Sequence, residues 1–149
     1  MEKQDFTTSF SADQSPMEAY DAINNVRAWW TGQIEGSADK VGDEFTYRYK
    51  EYHYSKHKVA ELIPGKKVVW EIPEASINFV ADKNEWNNTK IIFDISEKDG
   101  KTQVRFTHQG LVPQNECFGA CSGAWTGYIT ESLRNLIATG KAQPDAVEN

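Results

Sequence analysis

One long helical periodicity constrains this chain more than any other feature. From about Asn115 to Thr139, the residues Phe118, Cys121, Trp125, Tyr128, Ile129, Leu133, Leu136 and Ile137 recur at steps of three, four or one. That spacing draws a single apolar stripe along a helix of about six or seven turns. A lone helix of this length must bury its stripe against something. No second long helix is legible upstream, so the only partner large enough is a sheet.

The upstream sequence supplies that sheet. Phe6 to Ala12 alternates, with Phe6, Thr8, Phe10 and Ala12 on one face. Ser15-Pro16-Met17-Glu18 starts a short helix: Ser15 caps it, Pro16 fits its first position and Glu18 completes a capping box. Met17, Tyr20 and Ile23 form its apolar face, Asn24-Asn25 stops it, and Val26 to Trp30 reads as a second short helix closed by Gly32. Strands are predicted over Glu44–Lys50, Tyr52–Ile63, Val68–Ile72, Thr89–Ser96 and Thr102–Gln109, with Pro64-Gly65 and Asp99-Gly100 as turns. Pro73 to Asn88 reads as a loop, with one short strand near Ile77 to Val80 and with Ile77, Phe79 and Trp86 as isolated apolar points. Residues 1–149 are thus expected to form one α+β domain. A curved antiparallel sheet of about six to seven strands wraps the C-terminal helix, and a polar tail follows from about residue 141.

The inward faces are bulky and partly polar: Tyr47, Tyr49, His57, Trp70, Phe93, His108 and Trp125. The chain has five Trp, six Tyr and seven Phe. Large rings either fill a core or leave space between layers, and both readings stand at this point.

Several motifs carry a resemblance. Ala28-Trp29-Trp30-Thr31-Gly32, Val59 to Trp70 through Pro64-Gly65, Phe106 to Pro113 through His108 and Gly110, and Trp125 with Ser132-Leu133 occur in consistent order. They resemble the START-related helix-grip (SRPBCC) superfamily, and within it the branch named after the activator of the heat-shock protein 90 ATPase. The resemblance runs from about Phe6 to Gly140. It implies a helix-grip fold with a cavity between sheet and helix. Members of that superfamily bind lipids, hormones or polyketides, act as cyclases or aromatases, or serve as co-chaperone modules. The expected function is therefore the binding of a small hydrophobic or aromatic ligand in an internal cavity. A co-chaperone or stress-response interaction module is the alternative, and a cyclase- or aromatase-like enzyme using the same cavity is the second.

The candidate ligand-binding residues are Trp29, Trp30, Tyr47, Tyr49, His57, Glu61 and Trp70 from the first half of the chain. Phe79, Phe93, Phe106, His108, Cys121, Trp125 and Tyr128 complete the set. His108 is either a polar anchor or proton carrier, or a buried imidazole bonded to a loop carbonyl; the second is favoured. Glu61 shares a strand face with His57 by the period of two. It either points inward, where it could pair with a histidine for acid/base work, or sits at the sheet rim beside a cation, the favoured alternative. His53 and His57 share a face among Tyr and Lys and are expected to be half exposed. Trp29-Trp30 forms either a mobile rim or a packed corner.

Cys117 and Cys121, four apart on the helix, read as ordinary thiols rather than as half of a zinc site. No phosphate loop or nucleophile motif is present, so neither cofactor, metal nor catalytic residue is assigned. The net charge of −6 and the lack of a basic run argue against nucleic acid and anionic membranes. No apolar run reaches the length of a spanning helix, and the first residues lack the pattern of a signal peptide, so a cytoplasmic location is expected. The sheet edges are compatible with a homodimer, and a chaperone contact rests on the resemblance alone.

Overall fold

A computed structural model describes residues 5–30, 33–36, 38, 40–49, 53–77, 86–112 and 118–139. Seven strands, β1 (Phe6–Ala12), β2 (Gln33–Gly36), β3 (Glu44–Tyr49), β4 (His53–Ile63), β5 (Lys67–Ile77), β6 (Thr89–Lys98) and β7 (Lys101–Gln109), form one curved antiparallel sheet. Their order across it is β1-β7-β6-β5-β4-β3-β2. Helices α1 (Pro16–Asn24) and α2 (Val26–Trp29) lie between β1 and β2. At the C-terminal end α3 (Phe118–Gly127), a π-helical segment (Tyr128–Leu133) and α4 (Arg134–Thr139) follow one another without interruption.

Local signals place most of these elements. The capping box at α1 is complete: the Glu18 amide donates to Ser15 Oγ at 3.2 Å and the Ser15 amide to Glu18 Oε1 at 3.1 Å. Asp99 and Gly100 both adopt positive φ, 55° and 79°, as a two-residue hairpin turn between paired Lys98 and Lys101 requires. On α1 the buried residues are Ala19 and Ile23, one turn apart, whereas Met17 points outward at 46% exposure. The expected apolar face of that helix is therefore rotated by part of a turn.

Two β-bulges correct the sequence reading. The partner of Val59 is Trp70 and that of Glu61 is Val69, so Ala60 is an extra residue in β4. Inward parity passes from Ser55, His57 and Val59 to Leu62, and Glu61 is carried to the exposed face. In β5 a second irregularity lies between the Lys58↔Glu71 and Lys56↔Glu74 pairs. Pro73 falls there, where no ladder N–H is needed, and the strand continues to Ile77 instead of ending at Ile72. The expected loop therefore begins later. Strand β2 was not anticipated from the sequence.

The core lies between the concave face of the sheet and the C-terminal helices. Val68, Trp70 and Ile72 of β5, Ile91, Phe93 and Ile95 of β6, and Val104, Phe106 and His108 of β7 alternate inward. Cys121, Trp125, Tyr128, Ile129, Ser132, Leu133 and Ile137 face them. The wider π turn keeps both the Tyr128–Ile129 and Ser132–Leu133 pairs on the buried side. Buried Ser132, absent from the predicted stripe, donates its hydroxyl to the Trp29 carbonyl at 2.7 Å and ties α2 to the helix.

Candidate functional site

Strands β3 to β7, the corner after α2, the turn before β6 and the C-terminal helix bring the site together. Alternation along β4 turns His53, Ser55 and His57 toward the helix. Strand β7 contributes Phe106 and His108, β5 contributes Trp70, and the C-terminal helix contributes Trp125. All three histidines of the chain thus meet in one aromatic cluster.

The rings touch one another. Trp30 stacks on Tyr47 with centroids 3.9 Å apart and lies 4.9 Å from Trp125 and 5.4 Å from His57. Trp125 in turn meets Phe106 at 4.7 Å and stacks on Trp86 at 5.8 Å. His57 lies flat on Phe45 at 4.8 Å, and Trp70 sits edge-on to Phe45 and Phe93. Trp29 and Trp30 are both buried and parallel to each other at 5.9 Å. They form a packed corner.

His108 is fully committed. The Trp125 indole N–H donates to its Nδ1 at 3.1 Å, so the neutral ring carries its proton on Nε2. That proton faces Thr89 Oγ1 at 2.9 Å, and the Thr89 hydroxyl donates to the Trp86 carbonyl at 2.6 Å. One directed chain of hydrogen bonds joins helix, strand and turn. Burial pushes the imidazole down to about 3, with the charge of His53 as a smaller cause. A second ring proton would also point at the indole N–H. His108 therefore stays neutral and braces the corner.

His57 differs. Its Nε2 meets Ser55 Oγ at 2.8 Å, and the same hydroxyl meets His53 Nε2 at 3.0 Å. Ser55 has one proton, so it donates to one imidazole and accepts from the other. Among the described residues the Nδ1 of His57 has no partner, and neither do the indole nitrogens of Trp70 and Trp86, although all three atoms are buried. Burial, then the charges of His53 and His108, hold His57 well below the ordinary imidazole range. His53 is pushed down to about 3 by burial, its ring set against Trp86 at 4.5 Å and Tyr47 at 5.1 Å. The expectation that His57 is half exposed is thus corrected: it is fully enclosed.

Of the sequence candidates, Trp29, Trp30, Tyr47, His57, Trp70, Phe93, Phe106, His108, Cys121, Trp125 and Tyr128 are all buried in this region. Glu61 is not among them. The bulge at Ala60 sends it outward, so a buried acid/base pair of Glu61 with a histidine does not form. Phe79, Cys117 and the side chain of Tyr49 lie outside the described residues. Sequence reasoning passed over Trp86, Ser55 and Thr89. The alternating His53-Ser55-His57 pattern was the one available signal for Ser55, whereas Trp86 stands among polar neighbours that suggested a loop. Among the described residues, no group of three or more His, Cys, Asp or Glu is placed to hold a metal ion.

Known proteins place this architecture. Residues 15–138 match the family described as Activator of Hsp90 ATPase homolog 1-like protein. The chain belongs to this family. Its structure is similar to the solution structure of the Aha1 dimer from Colwellia psychrerythraea at 27% identity and a TM-score of 0.75, covering 93% of this chain and 99% of that one. It is also similar to SSP2350 from Staphylococcus saprophyticus at 14% identity and a TM-score of 0.69, over 94% and 96% of the two chains. DynU16, a putative protein in the dynemicin biosynthetic locus, matches at 12% identity and a TM-score of 0.70, over 96% of this chain and 51% of that one. The last two likenesses concern the fold alone. No curated protein sequence matches the chain. In this chain the aromatic cluster occupies the space between sheet and helix, and no helix among the described residues is long and apolar enough to cross a membrane.

Proposed function

We infer that this protein binds a small, largely apolar or aromatic molecule between its sheet and C-terminal helix. One observation carries the reading: His57 Nδ1, Trp70 Nε1 and Trp86 Nε1 are buried, unpartnered and set among aromatic rings. Folded proteins pair nearly all such atoms, because a buried polar group without a partner costs about 1–3 kcal/mol. A guest with hydrogen-bonding atoms on an aromatic or aliphatic frame would satisfy them. It would take its affinity from apolar burial, at about 25 cal/mol per Å².

Because the rings are in contact with one another, a guest must displace or part them, and Trp125 is the central ring. Native mass spectrometry of protein purified from its own host tests the reading directly. A copurifying small molecule is expected; its absence, together with failure of neutral apolar dyes to bind, would sink the idea.

A second reading is a co-chaperone role. It is supported by the family to which the chain belongs and by exposed Met17 and Ile63, at 46% and 39%, the former packed beside the Gly65 turn. A pull-down with purified heat-shock protein 90 decides it, with the double variant Met17→Ser/Ile63→Ser expected to weaken the contact. The likeness to the Colwellia psychrerythraea Aha1 dimer also supports a homodimer, which light scattering would register as twice the chain mass.

A further inference from the structure

The outer face of the sheet holds a groove of about 330 Å³ where β5 and β6 part. Exposed Glu71, Pro73, Asn88 and Lys90 wall it, and the buried residues Ile72 and Thr89 close its inner side. The β5–β6 ladder stops at the Ile72↔Thr89 pair, while β5 runs on beside β4 as far as Ile77. At the fork, Pro73 has no N–H to offer.

The turn from Trp86 to Thr89 bridges this gap and belongs to both sides of it. Outward, its Asn88 and Thr89 line the groove. Inward, its Trp86 ring enters the aromatic cluster, edge-on to His53 at 4.5 Å and His108 at 4.6 Å and stacked on Trp125. Two hydrogen bonds tie the turn to β5: the Asn88 amide to the Ile72 carbonyl at 2.7 Å, and the Ala75 amide to Asn87 Oδ1 at 2.6 Å. Asn88 is held at a φ of 64°, in the left-handed region that a side chain disfavours. The indole nitrogen of Trp86 has no partner, so no polar bond from that ring resists its withdrawal.

We propose that the Trp86–Thr89 turn is the door of the buried site, and that a guest passes from the β5–β6 groove to the aromatic cluster when this turn swings out. Opening breaks two bonds to β5 and the Thr89–His108 bond, and carries away the ring that covers His53, His108 and Trp125. The rest of the sheet stays paired. The proposal rests on the ligand-binding reading above.

Asn87→Ala removes the side-chain latch without touching the cluster. The probe is Nile red, a neutral dye, followed by stopped-flow fluorescence. Asn87→Ala is expected to raise both uptake and release rates roughly 2- to 10-fold, the share of one hydrogen bond, with equilibrium affinity unchanged within about twofold. Ser132→Ala, which loosens the Trp29 corner instead, should leave both rates alone. A readout without dye accompanies it: in ¹⁵N spectra the Trp86 indole N–H should exchange with solvent faster than that of Trp70, and Asn87→Ala should accelerate Trp86 alone. If dye binds normally but Asn87→Ala leaves its rates unchanged, or Ser132→Ala is the variant that speeds them, the door is wrong and the ligand reading stands. A Trp86 indole exchanging as slowly as that of Trp70 in both proteins would also overturn the door. Failure of Nile red to bind the wild type removes the ligand reading and the proposal with it.

Discussion

His57 and His108 are both fully buried on the concave face of one sheet, yet their surroundings are built to different ends. Both ring nitrogens of His108 have partners, and the hydrogen-bond chain runs one way from the Trp125 indole to the Trp86 carbonyl. Around His57 the ring is gripped by Phe45, Trp30 and Trp70, but Nδ1 and the Trp70 indole N–H are left without partners. A satisfied network fixes one arrangement, whereas an unsatisfied one holds free energy that a guest can release. The first region is a brace, and the second has the makings of a site.

Acid gives the largest expected effect on both regions. The folded imidazoles of His53 and His108 are lowered to about 3 and that of His57 is lowered as well, against 6.5 for an ordinary imidazole. The native state then binds fewer protons than the unfolded chain below pH 6.5. Stability is unaffected above that value and falls as the pH drops from 6.5 toward 3. Each histidine contributes a slope of about 1.4 kcal/mol per pH unit where it is neutral folded and protonated unfolded. Urea titrations at a series of pH values should show up to three protons taken up on unfolding, and His57→Phe should remove one of them. A flat profile between pH 6.5 and 4.5 would mean that the histidines are not enclosed.

Next in size is the contrast between the two rings themselves. His108→Phe strands the Trp125 N–H and breaks the link to Thr89, and is expected to cost roughly 3 kcal/mol, about 1–3 kcal/mol for each buried group left unpaired. His57→Phe retains a ring over Phe45, removes an orphaned nitrogen and leaves Ser55 with His53, so it should fall within about 1 kcal/mol of wild type. Equal losses in urea denaturation would erase the distinction between brace and site.

The smallest effects come from the indoles. Both substitutions shorten a fully buried ring and share a cavity cost; beyond it, Trp125→Phe should lose about 1 kcal/mol or slightly more for its paired N–H, and Trp70→Phe nothing for its unpaired one. For ligand the order reverses at Trp70. Losing its N–H should weaken binding of a copurified molecule by roughly 2- to 10-fold, measured by isothermal titration. A Trp70→Phe variant as destabilised as Trp125→Phe, with unaltered affinity, would show that this N–H is already engaged in the free protein.

Rigidity elsewhere follows the same logic at Gly110. Its φ of 104° and the 2.5 Å that would separate an added Cβ from Thr89 Cγ2 leave room for glycine alone beside the brace. Gly110→Ala should therefore disturb the His108–Thr89 bond. Loss of the Thr89 hydroxyl proton's slow exchange in NMR would register it.

Much of this protein was legible in its sequence because the controlling forces are local. Ser15, Pro16 and Glu18 fix the start of α1 through groups three residues apart, and Asp99-Gly100 fixes the β6–β7 hairpin through its own backbone preferences. The spacing of Trp125, Ile129 and Leu133 required one helix and a sheet to cover it. What the sequence could not decide is everything that depends on a partner strand. Whether Glu61 faces in or out turns on one unpaired residue, Ala60, whose bulge reverses the parity on which alternation is counted. Pro73 lies within a strand because the ladder there has an irregularity that asks no N–H of it. The satisfaction of a buried nitrogen is likewise a property of two or three distant segments at once. Only the assembled sheet and helix bring a donor to His108 and, among the described residues, none to His57 Nδ1, which is why the helix and most of the clustered rings were readable from the sequence and the pairing of their nitrogens was not.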